Sequence, residues 1–349
     1  MGMLVTEASD DVRPDGIPPV SVVLPALNEQ RHLRDCLSSL LAQDYDGAIE
    51  ILVLDGGSRD ATRKIARAAG PTVRVVNNPR MTAAAAMNIG CEHAGADLIV
   101  RADAHALYAP DYVRRCIEAL NTEDVAVVGG PMRAVGVTGF GRAVAAVTSS
   151  PLGVGPARFH YATEATDVDT VYLGAFHREI VEAVGGYDEV TIQWAAEDHE
   201  LNFRIRQQGG RIRLDPKIRS WYFPRQTPGG LWHQYFNYGR GKASTLAKHR
   251  SLPHWRPLVP AALVASIIGV AGVAAKTRRP AVAIAIPALY VGAASVAALR
   301  LGRDPGVAPH RAFSALAICH WAYGLGFWAG IGRIATGRGF DTRPKRRSI

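Results

Sequence analysis

Cysteine is scarce. The 349 residues hold four, Cys36, Cys91, Cys116 and Cys319. No two form a CxxC pair and none has metal-ligand spacing. A disulfide framework and a zinc module are therefore both excluded, and the four read as buried thiols of a reducing compartment. An apolar stretch behind basic residues is missing near the start. Residues 1–19 are polar, acidic and proline-containing, and read as a disordered leader rather than a secretory signal. Acidic residues are the minority, 31 against 40 basic, for a net charge of +9. That excess is concentrated late, at 276–279 and 343–347, beside long apolar segments. This placement points to anionic lipid headgroups and against nucleic acid. No internal repeat is visible, and long apolar runs are absent before residue 257.

What is present before that point is an alternation. Strands are expected at 20–25, 49–54, 73–77 and 98–101. Between them lie helices at about 29–41, 61–69 and 82–93. Leu33, Cys36, Leu37, Leu40 and Leu41 share one face of the first. This rhythm predicts an α/β fold with a mainly parallel sheet and helices on both faces. Further on, a helix is expected at 112–121, strands at 125–129 and 172–175, and helices at 178–184 and 197–208. The Gly-, Val- and Ser-rich residues 136–155 read as a mobile substrate loop containing a short helix. Residues 20–220 would form the catalytic domain.

Residues 221–256 mix aromatics with cations, as in a helix lying at a membrane interface. Residues 257–335 carry three apolar segments, 258–275, 281–299 and 312–334. A spanning helix needs about 20 apolar residues, so two or three spans are expected, ahead of a basic tail at 336–349. An odd number of spans would put that tail opposite the catalytic domain, against the positive-inside tendency.

Four polar motifs follow strand ends or open a helix. In a parallel sheet, ligands bind at the carboxyl ends of strands. Pro25-Ala26-Leu27-Asn28-Glu29 follows the first strand. Asp55-Gly56-Gly57-Ser58-Arg59-Asp60 follows the second. There Asp55 could accept a hydrogen bond from a base or ribose, and Asp60 could cap the next helix. Arg101-Ala102-Asp103-Ala104-His105 follows the fourth. If extended, it turns Asp103 and His105 the same way, so both could grip Mn²⁺ or Mg²⁺. Glu197 and Asp198 open a helix, whose positive end favours their charge. Asp198 is the candidate general base.

In combination, PALNE, DGGSRD, RADAH, GGYDE and AEDHELNFR resemble family 2 glycosyltransferases of the GT-A fold. The likeness extends to membrane-bound bacterial members of the succinoglycan-glucosyltransferase type and covers residues 20–249. The resemblance implies that Pro25, Ala26, Asn28, Glu29, Asp55, Asn88, Ala102 and Asp103 line a nucleotide pocket. It implies a divalent cation at Asp103 and His105, with His105 replacing the family's second Asp. Gly56 likewise stands where many members have an Asp. Asp198 matches the catalytic base. Glu197, Gly174, Ala175, Tyr187 and Asp188 fall on the acceptor side. Gln234, Arg240 and Lys242 sit where relatives contact the diphosphate, although Gln-x-x-Arg-Trp is absent, which argues against a processive synthase.

The expected activity is inverting transfer from a nucleotide sugar, such as UDP-glucose, to a membrane-associated, lipid-linked saccharide. It would serve polysaccharide biosynthesis in a multi-pass cell-membrane protein with a cytoplasmic catalytic domain. The alternatives are a polyprenyl-phosphate glycosyltransferase and a non-catalytic nucleotide-binding scaffold.

Overall fold

The computed structural model describes residues 16–155, 157–192, 195–251 and 255–337. Most of the expected leader, most of the basic tail and Trp194 lie outside them. The first half alternates β1 (Val20–Ala26), α1 (Leu33–Leu41), β2 (Ile49–Asp55), α2 (Thr62–Arg67), β3 (Val73–Asn77), α3 (Ala83–His93) and β4 (Leu98–Arg101). There follow β5 (Ala106–Tyr108), α4 (Tyr112–Thr122), β6 (Val127–Gly130), β7 (Met132–Ala134), α5 (Gly139–Thr148), α6 (Pro151–Val154), β8 (Thr166–Asp167) and β9 (Tyr172–His177). The last group is α7 (Arg178–Ala183), α8 (Glu197–Gln207), β10 (Ile212–Leu214), β11 (Ser220–Tyr222), α9 (Pro228–His249), α10 (Val259–Thr277), α11 (Pro280–Leu301) and α12 (Pro309–Ala335).

Eight strands form one sheet in the order β3-β2-β1-β4-β9-β6-β10-β8. The β3-β2-β1-β4 half is parallel, as the alternation predicted. β9 instead runs antiparallel to both β4 and β6, and β8 is antiparallel to β10. β1 is buried on both faces, which is why it reads as a continuous apolar run rather than an alternating one. On one side α1 buries Leu33, Cys36, Leu37 and Leu40. Each such leucine contributes about 1.5–3 kcal/mol. On the other side Ala84, Ala86 and Met87 of α3 pack with Leu52, Leu54 and Ile99.

Residues 136–155 form two capped helices rather than a loop. Thr138 accepts from the Gly141 amide and Ser150 from the Leu152 amide. Ala143, Val144 and Val147 of α5 are buried with Ala312, Ala315 and Leu316 of α12. The helix needs that distant partner, which local composition does not reveal. β11 crosses residue 220, the expected domain boundary. It pairs with β5 and β7 in a second, three-stranded sheet.

α9 and α12 are close neighbours along their length. Gly326 lies against the Phe236 backbone and Gly330 against Arg240 and Ala243. The contacts climb together along both helices, so the two run parallel. Trp328 Nε1 also donates to the Ala261 carbonyl of α10 at 2.8 Å. Among the described residues two helices are long and apolar enough to cross a membrane, Arg256–Thr277 and Pro280–Leu301, and both leave most of their surface exposed. The third apolar segment lies in α12, which buries Ala312, Leu316, Cys319, Ala322 and Phe327 within the protein.

Candidate active site

β1, β2 and β4 are parallel neighbours, so their carboxyl ends open on one edge of the sheet. The loops after β1 and β2 are knitted together there. Asn28 adopts a left-handed conformation, φ 57°, one of the few non-glycine residues that tolerate it. Its Oδ1 accepts from the Arg59 amide at 2.9 Å, and its own amide donates to Ser58 Oγ at 2.9 Å. The Glu29 amide donates to Thr62 Oγ1 at 2.7 Å. Asp60 accepts from the amides of Gln30 and Thr62. Asp55 is fully buried. It accepts from the Gly57 and Ser58 amides, each at 3.2 Å, and pairs with Arg63 at 3.4 Å. It therefore shapes the loop whatever else it contacts. Pro25 and Ala26 close β1, where the Ala26 carbonyl accepts from the Gly56 amide at 2.9 Å. Ala102 is fully buried, its amide donating to the Val23 carbonyl.

The segment after β4 is not extended. The Ala106 amide donates to the Asp103 carbonyl at 3.2 Å and closes a turn, so strand alternation does not set the Asp103 and His105 directions. Tyr172 donates its hydroxyl to Asp103 Oδ2 at 3.4 Å. His105 Nδ1 lies 3.3 Å from Glu29 Oε1, with its ring against Tyr222. Burial pulls the His105 pKa down, but the Glu29 hydrogen bond and the Asp103 charge outweigh it, against Arg225, and leave it raised. Among the described residues no three His, Cys, Asp or Glu side chains form a ready-made metal cage. The carboxylate of Asp103, with the Glu29–His105 pair beside it, is a donor set that fits Mg²⁺ or Mn²⁺ if diphosphate oxygens complete the shell.

Arg101 joins this edge to α8. Its side chain is 7% exposed. Nη1 donates to Asp198 Oδ1, Nη2 donates to Glu197 Oε1 at 2.9 Å, and Nη2 lies 3.9 Å from Asp103 Oδ1. Three carboxylates from two distant segments thus share one guanidinium. Ala196 turns left-handed, φ 73°, just before the helix and aims its first residues at the sheet edge. Burial raises the Asp198 pKa. Arg101 opposes the rise, Glu197 and Asp103 reinforce it, and the carboxyl ends well above its ordinary range. The motifs assign Arg101 no role. Its signal was a charged residue ending an otherwise apolar strand, Leu98-Ile99-Val100-Arg101.

The remaining expected residues divide. Gly174 and Tyr187 border a cavity of about 10 Å³ with Asp198. Ala175 is fully buried in the sheet, paired with Val100 and Val128. Asp188 accepts from the Val190 and Thr191 amides and pairs with Lys248 at 2.7 Å. Asn88 donates to the Tyr187 carbonyl and Glu189 and accepts from the Tyr187 amide, so its amide is committed to that loop. Gln234, Arg240 and Lys242 do not converge. Gln234 donates to the hydroxyls of Tyr222 and Tyr238, beside His105. Arg240 lies over the Phe236 ring, near Gly330 of α12. Lys242 joins a different cluster. On one α-helix Arg240 lies about 240° round from Gln234 and about 200° from Lys242, and Lys242 is about two turns beyond Gln234, so the three do not meet at one ligand.

Residues 21–185 match the family described as Glycosyl transferase family 2. The succinoglycan biosynthesis protein ExoA of Rhizobium meliloti is 34% identical over 88% of this chain and 93% of its own length. A dolichyl N-acetyl-alpha-D-glucosaminyl phosphate 3-beta-D-2,3-diacetamido-2,3-dideoxy-beta-D-glucuronosyltransferase of Methanococcus voltae is 26% identical over 66% of this chain and 74% of its own. A solved mannosyltransferase from Pyrobaculum calidifontis, in complex with GDP-Man and Mn²⁺, shares the fold. Its TM-score is 0.58 at 22% identity, covering 90% of this chain and 91% of that one. The architecture is that of a GT-A glycosyltransferase. The chain belongs to glycosyltransferase family 2, and it is an enzyme of that class.

Proposed function

We propose that this enzyme moves a sugar from a UDP-sugar, such as UDP-glucose, to a hydroxyl of a membrane-associated, lipid-linked saccharide, with inversion, in polysaccharide biosynthesis. One observation carries the reading: Asp198 and Asp103 flank the same buried guanidinium at the carboxyl edge of the sheet. Asp198 takes the acceptor proton, and the hydroxyl attacks the anomeric carbon from the face opposite the leaving diphosphate. A divalent cation, Mn²⁺ or Mg²⁺, held through Asp103 beside Glu29 and His105, would offset charge on that diphosphate. Arg101 keeps Asp198 in place and favours its ionised form. The loops of Pro25, Ala26, Asn28, Glu29, Asp55 and Ala102 would receive the nucleotide. Glu197, Gly174, Tyr187 and the Asn88-braced loop would face the acceptor.

The names of the relatives, in succinoglycan and dolichyl-linked glycan synthesis, support a glycan acceptor on a lipid. α10 and α11 would anchor the enzyme in the cell membrane, with its catalytic domain in the cytoplasm, where nucleotide sugars are found. The test is a donor screen on the full chain in detergent, reading nucleoside diphosphate release with and without lipid extract. A UDP-sugar should turn over, and Asp198→Asn should lose transfer about 10²–10⁴-fold. Turnover of a GDP-sugar alone would refute the donor. Full activity of Asp198→Asn would instead indicate an acceptor that is already anionic.

A further inference from the structure

One residue past Asp198, His199 enters a second polar cluster. Its Nε2 lies 3.4 Å from Asp169 Oδ2, and Arg256 Nη2 lies 2.8 Å from the same oxygen. Lys242 of α9 is close enough to act electrostatically on His199 and to feel Asp169 and Arg256. His160 feels Arg256 as well. Asp169 is thus the carboxylate facing two cations and the His199 imidazole, with His160 reaching the cluster through Arg256. Burial, reinforced by the neighbouring cations, pulls His199 down to about 4 and His160 down to about 3, so both are neutral at pH 7.

Three nitrogens here are buried with no hydrogen-bond partner: Lys242 Nζ, His199 Nδ1 and His160 Nδ1. His199 is 8% exposed. A buried ammonium without a partner is costly, so Lys242 rests as the neutral amine until an anion arrives. An amine and two imidazole nitrogens that can each take up a proton, beside a guanidinium, suit an oxygen-rich anion. Its position says where the anion comes from. Arg256 begins the first candidate membrane helix. Its neighbour Trp255 is 72% exposed, as expected of an aromatic at the membrane interface.

We infer that Lys242, Arg256, His199 and His160 form a second anion site, separate from the donor's diphosphate. It takes the phosphate or diphosphate group of the lipid that carries the acceptor saccharide. The inference rests on the lipid-linked acceptor reading above and deepens it. The cluster neighbours Asp198 in sequence and borders the membrane helices, so a lipid held there would present its saccharide from the membrane side.

The test uses the full chain in detergent and calorimetric titration with farnesyl diphosphate, inorganic pyrophosphate and UDP. Lys242→Met should weaken farnesyl diphosphate at least tenfold and leave the UDP affinity within twofold, while Lys242→Arg stays within a few-fold of the parent for both. The ligand-free Lys242→Met protein should unfold at the same temperature or higher, because a buried amine without a hydrogen-bond partner has gone. Weakened UDP binding would return Lys242 to the donor and overturn the proposal. So would pyrophosphate binding as tightly as farnesyl diphosphate, or farnesyl diphosphate binding that ignores the substitution. A second readout needs no variant. Burial holds the Lys242 pKa far down, and an anion would restore its proton. Farnesyl diphosphate binding to the unaltered protein at pH 8 should therefore take up protons, shown by titration in buffers of different ionisation enthalpy, and no uptake would overturn the proposal. Transfer to a lipid-linked acceptor with Lys242-independent binding would sink this site alone. Lys242-dependent binding without any such transfer would sink the acceptor reading alone.

Discussion

Arg101 holds Asp198 from 97 residues away, Nη1 to Oδ1, with Glu197 on its second nitrogen. Arg101→Gln leaves the carboxylates uncompensated, and Asp198 should then protonate more readily. The acidic limb of kcat should move to higher pH, with kcat at pH 7 falling at least tenfold and donor KM little changed. Lys at 101 keeps the charge but not the fork, and should restore the limb more than the rate. An unmoved limb in Arg101→Gln would leave the guanidinium with packing alone.

The parent enzyme has its own pH signature. Asp198 is raised chiefly by burial, with Glu197 and Asp103 adding. Since only the ionised carboxylate accepts a proton, activity should fall as pH drops through a value above the ordinary carboxylate pKa of about 3.9. Glu197→Gln removes one raising charge and frees Arg101 for Asp198, so its limb should shift to lower pH. A pH–rate profile of the two proteins checks the sign. An upward shift would contradict this electrostatic arrangement.

Cation dependence should run through Asp103. Chelation should abolish turnover, and Mn²⁺ or Mg²⁺ should restore it. Asp103→Asn should raise the cation concentration for half-maximal activity at least tenfold, within the about 10–100-fold range seen when metal sites lose a supporting group. Glu29→Gln, which alters the neighbour of His105, should give a smaller change. Equal cation requirements in parent and Asp103→Asn would move the metal elsewhere.

The α9–α12 contact depends on absent side chains. A Cβ at Gly326 would run into the Phe236 backbone, and one at Gly239 into the Tyr323 carbonyl. Gly326→Val should cost about 1–3 kcal/mol by overpacking, read as earlier unfolding in detergent. Gly332, with open space around its Cβ position, is the control, and Gly332→Ala should be close to neutral. Equal effects at both positions would show that the close approach is not what holds these helices.

Much of the fold was legible because the information was local. Val20, Val22, Val23 and Leu24 read as a buried strand, and Leu33, Cys36, Leu37 and Leu40 as one helical face. Both assignments stand to within a few residues. Non-local interactions escaped. β9 looks like any other strand in sequence, and only its pairing with β4 and β6 reverses its direction. α5 reads as a glycine-rich loop until α12 covers it. Of the site, the carboxylates at Asp103 and Asp198 were legible from their motifs. The partners that tune them, Arg101, Tyr172 and the Glu29–His105 pair, were not.

The sequence by itself determined the alternation, the parallel half-sheet and the loops that carry Asn28, Asp55 and Asp103 to its edge. Periodicity and strand-end position are properties of neighbouring residues. Tertiary structure alone decided which charges face each other: Arg101 between two acidic segments, Gln234 parted from Lys242, and Lys242 left beside His199 without a partner. Electrostatic energy depends on distance and burial, and both are set only when segments far apart in the chain are packed together.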